Sequence, residues 1–154
     1  MGSSDLTEIG ESFSEISPSQ LVSIVAEASD NELEDFMSGP QRELALREIF
    51  ARLADHVNPQ RARGHDAVFH FKILDRPDGG YDHYEVILQD GACTVNESPR
   101  EKPRVTIKIG PVHFLKLITN QASGPMLFMT RRLKLDGDIV FASQITSLFH
   151  LPSA

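Results

Sequence analysis

The stretch VFHFKILDRPDGGYDHYEVILQDGACTV, residues 68–95, decides the fold class. Its apolar and polar residues alternate with the two-residue period of β-strands that have one buried face. DRPDGG at 75–80 has the composition of a turn, and Asp90-Gly91 is a two-residue hairpin signal. The stretch therefore predicts three antiparallel strands joined by two turns.

The two turns predict one apolar and one polar face for this meander. Centring the first hairpin on its turn places Phe71 opposite Tyr84, whereas the neighbouring pair, His70 and Glu85, falls on the polar face. Centring the second hairpin on Asp90-Gly91 continues the same two faces into the third strand. The predicted apolar face carries Phe69, Phe71, Tyr84, Val86, Leu88 and Cys93.

Helical periodicity surrounds the meander on both sides. Three upstream helices are predicted to begin near Ser17, at Ser29 and near Gln41. Ser29 and Glu32 have the spacing of a capping box, and Phe50 lies on the apolar stripe of the third helix. The elements predicted downstream are a strand at 104–109, a helix at 112–119, a strand at 132–135 and a last helix capped by Asp138. This order predicts an α+β fold, in which a sheet of about five strands has its helices on the apolar face.

The charges are unevenly distributed along the chain. Residues 1–40 contain nine acidic side chains and no Lys or Arg, although the net charge of all 154 residues is −7. No basic patch of the kind that binds nucleic acid is present, and no apolar run approaches the roughly 20 residues of a membrane span. A single cysteine, Cys93, excludes an internal disulfide. We therefore expect a cytoplasmic protein that binds no nucleic acid and does not insert stably into membranes.

The sequence contains no recognisable catalytic or metal-binding motif. The six histidines form no HExxH motif, the serines no GxSxG motif and the glycines no phosphate-binding loop. His70 and His83 lie on neighbouring predicted strands beside Glu85, and we interpret them as a solvated cross-strand patch. Cys93 lies on the apolar face, as expected for a core thiol. No catalytic residue, metal site or cofactor is predicted.

An apolar segment near the C-terminus has an unusual composition. In GPMLFMTRRLKLDGD, residues 124–138, the flexible side chains of Met126 and Met129 flank Phe128. Such residues suit either an ordinary core or an apolar ligand pocket. Arg131-Arg132 follows directly, and suits either solvent or the head group of an anionic ligand at a pocket mouth.

A series of short motifs runs through the second half of the chain. In order, they are Phe114-Leu115, Gly124-Pro125, Phe128-Met129, Leu133-Lys134-Leu135, Gly137-Asp138 and Leu148-Phe149. They are preceded by FHF, YEVILQDGACTV and RVTIKIG. This ordered series resembles the sterol carrier protein 2 family over about residues 44–150, and the three preceding segments resemble the first four strands of that family.

The resemblance implies a five-stranded mixed sheet, covered on one face by helices that enclose an apolar tunnel. It implies binding and transfer of a lipid or other hydrophobic small molecule, such as a sterol or fatty acid, without catalysis. The residues expected to line the tunnel are Phe69, Phe71, Tyr84, Val86, Leu88, Phe114, Ile118, Met126, Phe128, Met129, Phe141, Ile145 and Phe149.

The chain departs from the family pattern in three places. Arg131-Arg132 stands where Gly-Lys is common, and the final LPSA is not a peroxisomal signal. The helical segment 17–40 has no counterpart in the minimal domain. We therefore divide the chain into a disordered acidic tail (1–16), a short N-terminal helical extension (17–40) and a sterol-carrier-like domain (41–154). The extension could cover the tunnel mouth or form a homodimer contact.

Two further hypotheses stay open on the sequence alone. The protein could be a biosynthetic enzyme or accessory protein that acts on a hydrophobic intermediate, with Tyr84, His113 or an arginine in an acid–base role. Alternatively, it could be a protein-interaction module with a vestigial pocket, in which the acidic N-terminal helices bind a partner. An interior packed without a cavity would favour the interaction module.

Overall fold

A computed structural model of the chain describes residues 18–40, 42–56, 64, 66–119 and 121–145. The predicted disordered tail, residues 1–16, and the predicted helix cap Ser17 lie outside this described part. The helices are α1 (Pro18–Glu27), α2 (Asp30–Met37), α3 (Arg42–His56), α4 (Pro111–Ile118), α5 (Gly124–Met129) and α6 (Ile139–Ile145). The strands are β1 (Ala67–Ile73), β2 (Asp82–Gln89), β3 (Ala92–Asn96), β4 (Val105–Ile109) and β5 (Leu133–Gly137).

The five strands form one mixed sheet in the order β3-β2-β1-β4-β5. β1 and β4 run parallel, and the other neighbours are antiparallel. Both predicted registers are confirmed, because Phe71 pairs with Tyr84 and Leu88 pairs with Cys93. The predicted α+β fold with a five-stranded mixed sheet is therefore confirmed.

One hydrophobic cluster joins the apolar face of the sheet to the helices. The sheet contributes fully buried side chains such as Phe69 and Ile107, and α3 contributes Leu46 and Phe50. The first two helices belong to the same cluster. Their buried members are Leu21, Val22, Val25, Leu33 and Met37. The helical extension predicted at 17–40 thus packs into the common core, where the free energy of burying its apolar surface holds it.

Local capping interactions begin two of the helices at the predicted residues. The Ser29 hydroxyl accepts a hydrogen bond from the Glu32 N–H (3.2 Å), and the Glu32 carboxylate accepts one from the Ser29 N–H (3.0 Å). This is the reciprocal capping box predicted for α2. At α6, Oδ1 of Asp138 accepts a hydrogen bond from the N–H of Phe141 (2.9 Å), as predicted.

The residue before the α6 cap must be a glycine. Gly137 ends β5 with φ +118°, a value that side-chain-bearing residues rarely adopt. A Cβ atom at this position would lie 2.5 Å from the carbonyl oxygen of Arg104. The same carbonyl accepts a hydrogen bond from the N–H of Asp138 (3.1 Å), so strand β5 and helix α6 are both fixed to the chain just before β4.

A buried arginine ties α3 to the end of the β1–β2 hairpin. Only 4% of Arg42 is exposed. Its guanidinium donates to the carbonyls of Ile73 (2.8 Å), Leu74 (2.7 Å) and Asp75 (2.9 Å). Nε also forms an ion pair with Asp82 (2.8 Å). The planar fork of donors suits this arrangement, which a lysine could not reproduce.

We expect Arg42→Leu to lower the free energy of unfolding by about 3 kcal/mol or more, because Asp82 and the three carbonyls would lose their donor. Arg47→Leu on the same helix is the matched control. Arg47 forms ion pairs with Glu43 and Glu97 on the surface, and such pairs contribute at most about 1 kcal/mol. Urea unfolding of both variants measures the difference. Equal losses would contradict a special role for Arg42.

Candidate functional site: an apolar groove at the edge of the sheet

Most of the side chains predicted to line a tunnel lie in the buried layer between sheet and helices. Eight of the predicted residues lie there: Phe69, Phe71, Tyr84, Val86, Leu88, Phe114, Ile118 and Phe141. Each of them is at most 4% exposed and belongs to the hydrophobic cluster. The structure therefore brings these residues together, and it packs them against one another.

The centre of this layer is filled by aromatic rings. The ring of Phe50 stacks on Tyr84 with the centroids 4.1 Å apart and on Phe114 at 5.2 Å, and it meets Phe71 edge-on at 5.4 Å. Sequence reasoning placed Phe50 on the apolar stripe of its helix but not among the site residues. At these distances, the rings leave no room for a ligand between them.

An open apolar groove lies beside this packed layer, between α5, β5 and α6. We refer to it as the β5 groove. Its cavity volume is about 180 Å³, smaller than the roughly 300 Å³ or more of a typical ligand pocket, and it is open to solvent on one side. The residues that line it are Gly124, Pro125, Phe128, Met129, Leu133, Leu135, Ile139 and Ala142. Every side chain in this list is apolar, so the groove offers a ligand no polar side chain of its own.

The apolar segment singled out in the sequence forms one wall of the β5 groove. It folds as the short helix α5 because Pro125 suits the first turn and the hydroxyl of Ser123 accepts a hydrogen bond from the N–H of Met126 (3.2 Å). Phe128 and Met129 line the groove, whereas Met126 does not. Of the predicted residues that remain, Phe149 and the side chain of Ile145 lie outside the described part.

Sequence reasoning missed four lining residues: Leu133, Leu135, Ile139 and Ala142. A signal for the first two was present. The alternation in RLKL places Leu133 and Leu135 on one face of an edge strand, and their partners in β4 are the buried Ile109 and Ile107. Because β5 is an edge strand of the described sheet, this face runs out to the edge and becomes the floor of a groove.

The outer face of the sheet carries a buried hydrogen-bond network, which corrects the interpretation of a solvated patch. Glu85 is fully buried and His70 is 5% exposed. Oε2 of Glu85 accepts hydrogen bonds from the backbone N–H groups of Arg100 (3.0 Å) and Glu101 (2.8 Å). Oε1 accepts one from the amide of Asn96 (3.1 Å). The connection between β3 and β4 thus passes over Glu85.

Two histidines extend this network toward the surface. Nε2 of His70 lies 3.3 Å from the carboxylate of Glu85, and Nδ1 of His70 lies 2.9 Å from Nε2 of His83. The ionised carboxylate requires a proton on Nε2 of His70, so Nδ1 of a neutral His70 accepts a hydrogen bond from His83. Burial and the neighbouring His70 and Lys72 lower the pKa of His83, which favours the neutral form of His83.

The carboxylate of Glu85 stays ionised well into the acid range. Burial by itself would raise its pKa, but the hydrogen bonds from Glu101, Asn96, Arg100 and His70 outweigh burial and lower the pKa from 4.5 to about 2. Because the folded pKa lies below the unfolded one, Glu85 stabilises the fold above pH 4.5. That stability is lost as the pH falls toward 2.

We expect Glu85→Gln to lower the free energy of unfolding at pH 7 by about 2 kcal/mol, since a buried charge-assisted network is weakened. The loss should shrink as the pH falls from about 4.5 toward 2, because the wild-type carboxylate then becomes protonated. Urea unfolding at pH 7 and near pH 3 tests both statements, with the exposed Glu34→Gln as control. A loss that is the same at both pH values would contradict the assignment.

The residues considered for acid–base chemistry lie away from the β5 groove lining. Burial raises the pKa of the Tyr84 hydroxyl far above neutral and that of the Cys93 thiol to about 12, so both stay protonated at neutral pH. His113 lines a separate cleft with Asp30 and Glu34. Within the described part, no three His, Cys, Asp or Glu residues are grouped to hold a metal ion. None of the described helices has the length and apolar composition needed to cross a membrane.

The comparisons with known proteins agree with this fold. Residues 46–150, more than half of the chain, match the model of the SCP-2 sterol transfer family. The chain therefore belongs to this family, and the resemblance noted in the sequence is confirmed. Among curated proteins, no sequence matches the chain.

Solved structures share the fold at low sequence identity. The stereoselective inverting sec-alkylsulfatase Pisa1 from Pseudomonas sp. is 23% identical with a TM-score of 0.61; the match covers 73% of this chain but only 17% of the sulfatase. Apo sterol carrier protein 2 from Yarrowia lipolytica is 22% identical with a TM-score of 0.55, covering 66% of this chain and 87% of that one. Palmitated SCP2L2 from Aedes aegypti is 21% identical with a TM-score of 0.53, covering 71% and 94%.

Proposed function

We propose that the protein binds and carries a hydrophobic small molecule, which enters through the β5 groove. The observation that carries this proposal is an open groove of about 180 Å³ whose lining side chains are all apolar. An acyl chain that fills such a groove gains about 0.8 kcal/mol for each methylene removed from water, so binding requires no charged anchor. Membership of the SCP-2 sterol transfer family and the palmitated Aedes aegypti relative support the same ligand class.

The aromatic packing around Phe50 bears on where the ligand lies. Because the layer beneath α3 and α4 is filled, we place the bound chain along β5, against Phe128, Met129 and Leu135. The predicted tunnel residues Phe69 and Phe141, whose rings are 6.2 Å apart, would form the base of this site. The predicted tunnel stays part of the proposal as an extension of the groove.

We propose that the carrier role is non-catalytic. Tyr84, the acid–base candidate among the tunnel residues, is 4% exposed and stacked on Phe50, and burial raises the pKa of its hydroxyl, which makes it poorly suited to acid–base chemistry. The single cysteine of the chain, Cys93, is unpaired, which is consistent with the reducing conditions of the cytoplasm.

Two substitutions in the β5 groove test the site. Met129→Asp places a carboxylate on the groove wall, and we expect it to weaken binding of cis-parinaric acid, a fluorescent fatty acid, by roughly tenfold or more. Ile139→Trp should also weaken binding because it fills the space. Both positions are exposed, at 77% and 49%, so the variants should fold.

The matched control is Leu44→Asp, a change at an exposed leucine of α3 that does not line the groove. It should bind the fatty acid as the wild type does. Far-ultraviolet circular dichroism verifies the fold of each variant. Wild-type affinity in both folded groove variants would place the ligand elsewhere, and no uptake by the wild type would overturn the carrier role itself.

A further inference from the structure

A polar cleft lies beside the end of strand β3, and we call it the Tyr84 cleft. Strand β3 pairs with β2 only over residues 85–89 of β2, so Tyr84 lies just beyond the point where this pairing stops. The walls of the cleft include Glu43 near the start of α3 and Glu97 directly after β3. Its volume is about 350 Å³, which falls within the range of small-molecule sites, and it shares no lining residue with the β5 groove.

The hydroxyl of Tyr84 is a polar group without a hydrogen-bond partner in the described part of the chain. The residue is only 4% exposed, and its ring stacks on Phe50 in the core. Every completely buried side-chain N or O atom among the described residues has a partner. The unpaired hydroxyl is therefore the part of Tyr84 that reaches the cleft. Such a group, at the end of an otherwise buried side chain, is available to a ligand.

Two carboxylates of the cleft share a single cation. Glu43 and Glu97 each accept a hydrogen bond from the guanidinium of Arg47 through Oε1, at 3.3 and 3.1 Å. Their Oε2 atoms have no partner among the described residues, and one guanidinium leaves the two carboxylates with a net negative charge. Burial raises the pKa of Tyr84, and the charges of Asp82, Glu97 and Glu43 add to this effect. The Tyr84 hydroxyl thus lies within the field of these carboxylates.

The other polar side chains that line the cleft are paired or neutral. The two oxygens of Asp82 accept from Arg42 (2.8 Å) and Arg76 (3.2 Å), so the cation that lines the cleft, Arg76, is already neutralised. His83 has a lowered pKa and lies with Nε2 2.9 Å from Nδ1 of His70. With its proton on Nε2, Nδ1 of His83 is an acceptor. The cleft therefore presents unpaired acceptors and an excess of negative charge.

We infer that the Tyr84 cleft binds a primary organic amine. An ammonium group has three N–H donors and no acceptor, and the oxygens of Tyr84, Glu43 and Glu97 supply matching acceptors. Hydrogen bonds to ionised groups are roughly twice as strong as those between neutral groups. An anion fits less well because the carboxylates repel it. A metal ion also fits less well, since no three His, Cys, Asp or Glu residues of the described part are grouped to coordinate one.

Calorimetric titration of the full chain with 2-phenylethylamine tests this inference, with 2-phenylethanol as the matched neutral probe. We expect the amine to bind more tightly than the alcohol by roughly tenfold or more, because only the ammonium group is charged and has three donors. Failure of the amine to bind would overturn the inference. Equal affinity for the two probes would overturn it as well.

Tyr84→Phe removes only the hydroxyl and tests its role in the cleft. We expect roughly tenfold weaker binding of the amine and an unchanged urea midpoint, because the hydroxyl has no partner in the described fold. A lower midpoint would make the hydroxyl a structural group and contradict its role as a ligand contact.

Glu97→Gln tests the charge of the cleft independently of Tyr84. We expect roughly tenfold weaker binding of the amine, because an ionised acceptor becomes a neutral one. Glu34→Gln is the control, since it removes an exposed carboxylate of α2 that does not line the cleft. It should bind the amine as the wild type does. Wild-type affinity in the Glu97 variant, or an equal loss in the control, would contradict the assignment.

The amine site does not depend on the proposed carrier role. Because the Tyr84 cleft and the β5 groove share no lining residue, Glu97→Gln should take up cis-parinaric acid as the wild type does. If the wild type binds the amine but takes up no fatty acid, the amine site stands and the carrier role fails. A Glu97 variant that loses both activities would overturn the separation of the two sites.

Discussion

The packing of Phe50 against the sheet is the contact on which the rest of the structure depends. One ring on α3 touches β1 through Phe71, β2 through Tyr84 and α4 through Phe114. Two helices and two strands thus meet at the ring of Phe50. Each aromatic pair adds about 1 kcal/mol to what burial alone supplies, and the layer between sheet and helices is closed at this end. The open apolar groove lies on the other side, toward β5.

The two faces of the sheet have different tasks. The inner face builds the core and, at its β5 edge, the apolar groove. The outer face is organised around the carboxylate of Glu85, which holds the β3–β4 connection through the backbone N–H groups of Arg100 and Glu101. A buried charge costs much free energy unless it is fully hydrogen-bonded. Here its hydrogen-bond partners are the backbone of the chain, Asn96 and His70, so the network fixes the β3–β4 connection to the sheet.

Much of the fold could be predicted from the sequence because its signals are local. Turn residues at Asp90-Gly91 set the hairpin register, and a two-residue period told the inner face from the outer one. The caps at Ser29 and Asp138 were readable for the same reason, since each involves residues three positions apart. Such features need no knowledge of which elements meet in space.

The features that the sequence did not reveal depend on distant contacts. Periodicity placed Phe50 on an apolar stripe, but only its meeting with Tyr84 and Phe114 shows that it fills the interior. His70 and Glu85 were interpreted as solvated because nothing local indicates that a loop passes over them. The floor of the groove exists because β5 is an edge strand. The strand order of the whole sheet determines this position, and the residues of β5 alone do not indicate it.

Gly137 has a consequence for how the family's groove can vary. Its missing side chain allows β5 to end against the backbone of Arg104, and α6 begins two residues later. Leu135 and Ile139, on opposite sides of this glycine, belong to two different walls of the groove. A larger residue at 137 would push the strand and the helix apart together. Substitutions along the walls can therefore change the size of the groove, whereas position 137, where the two walls meet, requires glycine.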